Sequence, residues 1–325
     1  MNATIRHGVA AALLAPLACG PALAETWDMP TPYGDGIFLT QNVRQFAQDV
    51  SDATDGALEI TVHSAQSLFP HEEIKNAIRS RQVPIGEIFL SRLNNEDLAY
   101  GVDSQPFLAT SYDEAWNLWQ AQKPVITDML AEEGLKPLFA VAWPAQGLYT
   151  NGEIGSIDQM SGLRFRAYNA QLEEFAQLAG AAPVQVEAVD IPQAFTTGQV
   201  EAMITSPSTG ADSKAWDFVT HYSPINAWIP KNIVLVNQRV FDGLPEDQQQ
   251  AVLDAAAAAE ERGWDMSRQE AEEKTQILRD NGITVYEPSP ELVEGLKAIG
   301  DRMLDTWQSQ AGDEAQQILS DYRGQ

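Results

Sequence analysis

Strand and helix patterns alternate along the first part of the chain in an order that few folds accommodate. ETWDM reads as a short first strand. Residues 36–54 carry apolar side chains three and four positions apart, which predicts an amphipathic helix, and ALEITVH then alternates as a strand. A short helix, PHEEIKNAIRS, and another strand, VPIGEIFL, follow. This strand–helix–strand–helix–strand order predicts an open, mostly parallel sheet with helices on its faces.

The same alternation begins again near Leu148. GLRFRAY is predicted as a strand, and Asn169 as the N-cap of a helix that reaches Leu178. APVQVEAV and QVEAMITS are predicted strands on either side of a short helix that Asp190 caps. Long helical patterns close the chain, and Gly263 is the obvious weak point of the first of them.

No low-complexity linker separates the two alternating halves, which favours two lobes joined by several crossings over two separate domains. We therefore expect an α/β chain whose long helices span both lobes. Lobe I is predicted to comprise residues 25–146 and about 232–262. Lobe II is predicted to comprise residues 147–231 and about 263–325, together with the spanning and C-terminal helices.

The first 24 residues have the three parts of a secretory signal peptide. Arg6 and His7 precede a run of small and apolar residues that is too short to span a bilayer, and Ala22-Leu23-Ala24 ends the segment. Cleavage is expected after Ala24, which would remove Cys19, the only cysteine. Lipid anchoring through Cys19 is the alternative. Either way, the segment predicts an exported protein.

The charge balance argues against nucleic acid, or an anionic membrane surface, as a partner. The chain has 20 basic and 46 acidic residues, and its formal net charge is −26. A small anion would be repelled by the field of the whole protein. A binding site for such an anion must therefore supply a local cationic group.

Motifs that would indicate an enzyme are absent from the sequence. It contains no G-x-S-x-G elbow, no H-E-x-x-H pair, no C-x-x-C and no P-loop, and the stretch GDGIFLT lacks the third glycine of a dinucleotide-binding loop. The four histidines are scattered, which predicts no metal site. We expect neither catalysis nor a cofactor.

The stretch GLRFRAYNA places Arg164 and Arg166 on the polar face of a predicted strand. A strand arginine is commonly a solvated surface residue. Arg166, however, lies near the carboxyl end of the strand, just before the helix that Asn169 begins, and ligands of open α/β sheets bind at that end. A guanidinium stays charged and offers paired donors to a carboxylate. Arg166 is therefore the predicted ligand for an organic anion.

The stretch SIDQMSGLRFRAYN…LAGAAPVQVEAVDIPQAFTTGQVEAM resembles the central signature of the TRAP-type (tripartite ATP-independent periplasmic), DctP-like solute-binding proteins. That signature contains D-x-x-G-x-[KR]-x-R, then G-A-x-P-V, an acidic residue before a short helix, and V-[DE]-[GA]. The stretches TDGALEITVH and KNIVLVNQRVFDGLPEDQQQAV extend the resemblance over essentially the whole exported chain.

The resemblance implies a periplasmic protein with the two-lobed Venus-flytrap fold, in which two mixed, mostly parallel sheets carry helices on both faces. It further implies that the lobes close on a small organic acid and deliver it to a membrane permease of one small and one large transmembrane subunit. A ligand-sensing protein that reports to a membrane receptor would have the same cleft, so it stays an alternative. An exported enzyme is a second alternative, which the missing motifs disfavour.

Three ligand contacts follow from the resemblance by position. The carboxylate-binding arginine of the family falls on Arg166, its glutamate before the short helix on Asp190, and a polar contact on Thr205. Sialate-binding members carry a further arginine where this chain has Gln146. A second fixed positive charge is therefore in doubt, which suggests a monocarboxylate with an apolar, aromatic or hydroxylated body. A zwitterion, a sugar acid and a dicarboxylate stay open.

Three aromatic residues are predicted to shape the cleft. Trp143 lies where the lobes join, Tyr168 shares the polar face of Arg166, and Trp228 precedes the return crossing. Ordinary packing in the core is the alternative for each of them.

Three further candidates lie in the first lobe. Phe69 and His71 stand at the start of a predicted helix, where backbone N–H groups favour an anion, and Tyr33 follows the first strand. A buried turn phenylalanine and structural packing are the corresponding alternatives.

Overall fold

The computed structural model describes residues 24–324. Residues 1–23, which hold nearly all of the predicted signal peptide and Cys19, lie outside the described residues, so that prediction is not tested. Within residues 24–324, none of the helices is long and apolar enough to cross a bilayer.

The first lobe is built by the amino-terminal part of the chain. Its elements are β1 (Glu25–Pro30), α1 (Phe38–Ala53), β2 (Leu58–His63), α2 (Ile74–Arg79), β3 (Ile85–Phe89), α3 (Tyr112–Glu132) and β4 (Leu135–Ala142). β1 and β2 pair in parallel, as the alternating pattern predicts. The apolar face of α1, with Val43, Phe46 and Val50, is buried in the lobe core.

The second lobe repeats the alternation around a six-stranded sheet. Its elements are β5 (Gly147–Thr150), β6 (Arg164–Ala167), α4 (Ala170–Leu178), β7 (Ala182–Gln185), α5 (Ile191–Thr196), β8 (Ala202–Thr205), α6 (Pro207–Asp212) and β9 (His221–Ser223). Asn169 caps α4 as predicted, since its side chain accepts a hydrogen bond from the backbone of Leu172. Asp190 precedes α5 but makes no capping hydrogen bond.

The chain returns to the first lobe and ends in helices. The remaining elements are β10 (Lys231–Asn237), α7 (Gln238–Asp242), α8 (Glu246–Asp280), β11 (Thr284–Val285), α9 (Pro290–Gln310) and α10 (Asp313–Arg323). The first-lobe sheet has the order β3-β10-β4, and the second-lobe sheet has the order β11-β9-β5-β8-β6-β7.

β1 and β2 form a separate parallel pair, the three-stranded sheet of the first lobe is antiparallel throughout, and the second-lobe sheet is mixed. The antiparallel pairs belong to the strands that follow the crossings. β10 runs antiparallel to β3 and β4, and β5 runs antiparallel to β8 and β9, whereas β6 is parallel to both of its neighbours. Two parallel strands need a crossover connection, usually a helix, that returns the chain to the end of the sheet where the first strand began. A strand that enters directly from the other lobe is not preceded by such a helix. α1 connects the parallel pair β1 and β2, and α4 connects the parallel pair β6 and β7.

Two extended segments, residues 143–146 and 227–230, join the lobes side by side. The backbone N–H of Trp143 donates to Pro230 O at 2.8 Å, and that of Gln146 donates to Trp228 O at 3.0 Å. The N–H of Ala227 donates back to Gln146 O at 3.0 Å. These hydrogen bonds make the double crossing a hinge that holds Trp143 and Gln146 against the cleft.

The long helix α8 is the third connection. It packs on α1 and β4 of the first lobe through Ala255 and Ala259, and Leu278 near its end is buried in the second lobe. The last helix, α10, packs on α3 of the first lobe. The lobe boundaries stay a prediction.

Candidate functional site

A cavity with about 430 Å³ of empty space lies between the two lobes. Its wall is formed by Tyr33, His71, Phe89, Arg92, Trp143, Gln146, Arg166, Tyr168, Glu187, Ala188, Thr205, Thr209 and Pro230. Most of these residues lie at or just beyond the carboxyl ends of β1, β3, β4, β6, β7 and β8. This is the edge at which open α/β sheets bind ligands.

Arg166 is the buried cation of the cavity. Its side chain is almost fully buried, and its Nε donates to the backbone oxygen of Val186 at 3.0 Å. Among the described residues, Nη1 has no hydrogen-bond partner, and Arg166 forms no ion pair. Burial lowers the pKa of Arg166 to about 10, so the group stays charged at neutral pH. A buried guanidinium with an unpartnered nitrogen favours binding of an anion.

Arg164 has a different environment, although it lies on the same strand. Its side chain is half exposed and pairs with the carboxylate of Glu201. It does not reach the cavity. The strand thus carries a partly exposed ion pair at Arg164 and a buried cation that lines the cavity at Arg166.

A bridge of three charged or polar side chains closes one side of the cavity. Glu187 follows β7 in the second lobe, and its Oε1 accepts a hydrogen bond from Arg92 Nη1 at 2.7 Å. Arg92 follows β3 in the first lobe. His71 Nδ1 lies 3.7 Å from the other carboxylate oxygen, Oε2. We call Arg92, Glu187 and His71 the interlobe bridge.

The bridge fixes the charge of its members. Burial alone would raise the pKa of Glu187, but the nearby His71 ring and the charge of Arg92 outweigh it and lower the pKa to about 2. Burial lowers the pKa of His71. The backbone N–H of Phe89 donates to His71 Nε2 at 3.1 Å, which leaves the proton of the neutral ring on Nδ1, facing Glu187. Glu187 is therefore ionised and His71 neutral at pH 7.

Aromatic side chains form a further part of the wall. The rings of Tyr33 and Trp143 meet edge to face with centroids 5.0 Å apart. Tyr33 OH and Trp143 Nε1 both donate to Asn232 Oδ1, at 3.2 and 2.9 Å. This shared acceptor fixes the orientation of both rings.

Tyr168 lies over the guanidinium, with the carbon Cζ of Arg166 at 5.2 Å from its ring centre. Its hydroxyl donates to Gln146 Oε1 at 3.3 Å and accepts from Trp228 Nε1 at 2.9 Å. Trp228 therefore lies behind the wall and orients Tyr168, without lining the cavity itself. Gln146 in turn donates from Nε2 to Pro144 O at 2.8 Å.

The structure brings seven of the ten predicted side chains together in the cavity wall: Tyr33, His71, Trp143, Gln146, Arg166, Tyr168 and Thr205. Trp228 lies one layer behind them. Asp190 is exposed at the start of α5 and does not line the cavity, because the chain has already turned away from the strand end. Phe69 packs against the core of the first lobe and does not line the cavity either.

Sequence reasoning missed two charged residues of the wall, Glu187 and Arg92. Glu187, three positions before Asp190, lies near the carboxyl end of the predicted strand APVQVEAV, so the strand-end argument that selected Arg166 could have selected it. Arg92 lies in a 3₁₀ turn beyond β3, where no pattern distinguishes it from a surface arginine. Among the described residues, no cluster of His, Cys, Asp and Glu is suited to hold a metal ion.

Comparison with known proteins agrees with this architecture. Two Bordetella pertussis extracytoplasmic solute receptors that bind pyroglutamic acid, DctP7 and DctP6, are 43% and 41% identical to this chain. Each alignment covers 92% of this chain and 100% of the receptor chain, and the TM-score is 0.91 in both cases. A marine metagenome TRAP solute binding protein specific for pyroglutamate is 38% identical to this chain. The alignment covers 93% of this chain and 99% of the metagenome protein, with a TM-score of 0.90.

The family model for bacterial extracellular solute-binding proteins of family 7, DctP, matches residues 34–310. This match spans both lobes, the double crossing and most of the helices that follow. The two-lobed fold and the resemblance noted in the sequence are thereby confirmed. The chain therefore belongs to the DctP family of bacterial extracellular solute-binding proteins, which bind solutes and are not enzymes.

Proposed function

We propose that this protein captures a small monocarboxylate between its lobes, and that pyroglutamate is the best candidate ligand. The observation that carries the proposal is the buried Arg166, whose Nη1 has no partner among the described residues. The three relatives that are 38–43% identical, with pyroglutamate as the ligand in each, support the choice of acid.

The charges around the cavity favour a ligand with a single negative charge. Arg166 and Arg92 contribute two positive charges, and Glu187 contributes one negative charge, since His71 is neutral. The net local charge of about +1 matches a monoanion. A dicarboxylate would leave an excess negative charge in a partly dry cavity, and a zwitterion, whose net charge is zero, would leave the net local charge of about +1 uncompensated.

The uncharged residues of the wall have complementary roles in this proposal. The guanidinium of Arg166 pairs with the ligand carboxylate, and the ring of Tyr168 covers that pair from water. Thr205 supplies a hydroxyl at the end of β8, and Gln146 positions Tyr168. Trp143 and Tyr33 provide an apolar wall for the body of the ligand.

The proposed biological role is that of the solute-binding subunit of a TRAP transporter in the periplasm. The predicted signal peptide supports export. The hinge between the lobes supports capture by closure, since two side-by-side segments can bend while the lobes stay rigid. A permease of one small and one large transmembrane subunit is the proposed partner, and it would recognise the closed, liganded form.

A ligand panel tests the proposal directly. The purified protein is unfolded and refolded to remove copurified ligand, and thermal unfolding is recorded with pyroglutamate, its neutral amide, proline and glutarate. At a concentration of 100 times the dissociation constant, a ligand stabilises the folded state by about 2.7 kcal/mol. We expect this shift with pyroglutamate only. A larger shift with glutarate or proline would contradict the charge argument, and a shift with the amide would exclude carboxylate pairing.

A further inference from the structure

We infer that Glu187 is a specificity-determining residue that accepts a hydrogen bond from an N–H group of the ligand, next to the carboxylate held by Arg166. The site would then select carboxylates with a neutral N–H close to the carboxyl group, and reject analogues in which oxygen replaces that N–H. This inference rests on the proposed function, and it names which part of the ligand each charged residue recognises.

The first step is the hydrogen-bonding capacity that Glu187 retains within the interlobe bridge. Oε1 is occupied by Arg92 at 2.7 Å. Oε2 lies 3.7 Å from His71 Nδ1, which is longer than a normal hydrogen bond. A carboxylate oxygen has two lone pairs, so Oε2 can accept a further hydrogen bond. The side chain is about one-third exposed, and Glu187 lines the cavity.

The second step is the position of Glu187 relative to Arg166. The guanidinium Nε donates to the backbone oxygen of Val186, whose carbonyl carbon is bonded to the nitrogen of Glu187. The cation and the carboxylate therefore flank the same strand end. A ligand whose carboxylate pairs with Arg166 can therefore turn the atom next to its carboxyl-bearing carbon toward Glu187.

The third step is the state of the other acceptors. Asn232 Oδ1 already accepts from Tyr33 and Trp143, and Gln146 Oε1 accepts from Tyr168. Glu187 is thus the ionised acceptor of the wall, and Thr205 can serve as either donor or acceptor. A lactam N–H fits Glu187, whereas the ring oxygen of a lactone places lone pairs against a carboxylate.

The consequence is a preference that one pair of ligands measures. Sites that hydrogen-bond a ligand N–H or O–H reject the analogue without it by as much as ~10⁴-fold when the protein group is fully buried. Because Glu187 is partly exposed, we expect the lactam acid to bind on the order of 100-fold more tightly than the lactone acid of the same ring size.

The experiment is titration calorimetry of the refolded full-length protein with pyroglutamate and with its lactone analogue. Glu187→Gln is compared with the unmodified protein and with the matched control Glu174→Gln, whose side chain is exposed on α4. Glutamine can turn its amide nitrogen toward the lactone oxygen, so we expect the ratio of the two affinities to fall at least about tenfold in Glu187→Gln and to stay unchanged in the control.

The ratio separates recognition from a purely structural role. If Glu187 serves only to link the lobes, both affinities fall by the same factor in Glu187→Gln, and that result overturns the inference. Equal binding of lactam and lactone by the unmodified protein overturns it without any variant, so a folding defect in Glu187→Gln cannot obscure the answer. If neither ligand binds, the proposed function fails together with the inference. If both ligands bind equally well, only the inference fails.

Discussion

Arg164 and Arg166 stand two positions apart on β6, and only Arg166 lies in the cleft. If it pairs with the ligand carboxylate, Arg166→Ala should weaken binding by roughly 2–5 kcal/mol, the range for removing one partner of a buried charge pair. Arg166→Lys keeps the charge but not the paired donors, so its loss of affinity should be smaller than that of Arg166→Ala but still measurable. Titration calorimetry measures both variants.

The neighbouring arginine is the matched control for that experiment. The pair of Arg164 with Glu201 is largely exposed, and such pairs contribute about 0–1 kcal/mol to stability. Arg164→Ala should therefore leave ligand affinity unchanged. Equal losses of affinity in the two alanine variants would mean that general loss of positive charge, and not a specific contact, weakens binding.

Residues at strand ends were predictable from the sequence, and residues in irregular turns were not. Arg166 and Tyr168 lie on or directly after a strand whose alternation the sequence displays, so their place at the cleft follows from fold geometry, whereas Thr205 was expected from the family resemblance. Asp190 was selected for its position before a short helix, although the cleft is faced by Glu187, at the strand end. The contribution of Arg92 depends on a 3₁₀ turn and on the partner lobe, neither of which has a local sequence signal.

Glu87 gives the first lobe a pH-dependent stability. Its side chain is fully buried on β3, and this burial raises its pKa to about 7, although hydrogen bonds from Thr31 and Asn232 act in the opposite direction. The folded pKa lies above the unfolded value of about 4.3, so the folded state binds more protons between these values. The stabilisation is complete below about pH 4.3 and is lost as the pH rises through about 7.

Glu87→Gln should remove this dependence, because the amide stays neutral at every pH. The free energy of unfolding of the variant, minus that of the unmodified protein, should rise by about 2 kcal/mol between pH 5 and pH 8. Urea unfolding at several pH values measures the difference and cancels the background from the other carboxylates. A constant difference across this range would show that Glu87 titrates near its ordinary pKa.

At the level of elements, the packing of α8 depends on Gly263, the residue that the sequence pattern marks as the weak point of this helix. Gly263 is buried where α8 crosses β4 and α1. A Cβ atom at this position would overlap the methyl groups of Val141 and lie 2.8 Å from the amide nitrogen of Asn42. Valine on a strand has little rotamer freedom, so it cannot yield to the added methyl group. The glycine thus permits close packing of the spanning helix.

Gly263→Ala should destabilise the protein by about 1–3 kcal/mol, the usual cost of overpacking, even though alanine favours a helix by about 1 kcal/mol. Ala258→Gly, at an exposed position of the same helix, is the matched control and should cost about 1 kcal/mol through helix propensity alone. Denaturant unfolding measures both. A more stable Gly263→Ala variant would refute the packing argument.

Element identity was more predictable than strand direction. The amphipathic period of α1 and the alternation of β2 and β6 are local properties, and the structure has these elements where the patterns predict them. The antiparallel entry of β5 and β10 depends on the double crossing, and the docking of α10 on α3 depends on contacts far apart in the chain. Neither leaves a periodic signal in the sequence.

At the level of the whole molecule, hydrogen bonds across the cleft hold the lobes together beside the interlobe bridge. Asn169 Nδ2 donates to Ser91 Oγ at 2.8 Å, and Gln171 Nε2 donates to Gly101 O at 2.5 Å. Asn169 and Gln171 belong to the start of α4, directly after the strand that carries Arg166. The helix that directly follows the strand of Arg166 therefore contacts the opposite lobe, so in the proposed function a ligand held by Arg166 would lie next to contacts between the lobes.

The net charge of −26 opposes the arrival of an anionic ligand, while Arg166 and Arg92 attract it only at short range. The Debye length falls from about 30 Å at 0.01 M salt to about 8 Å at 0.15 M, so added salt screens the distant acidic surface more than the contacts inside the cavity. We expect the association rate constant for pyroglutamate to rise a few-fold over this range, with a smaller change in the dissociation rate constant. Stopped-flow tryptophan fluorescence, to which Trp143 in the cavity wall contributes, measures both rates. An association rate that falls with salt would mean that the positive field of the cleft extends beyond its mouth and dominates the approach of the ligand.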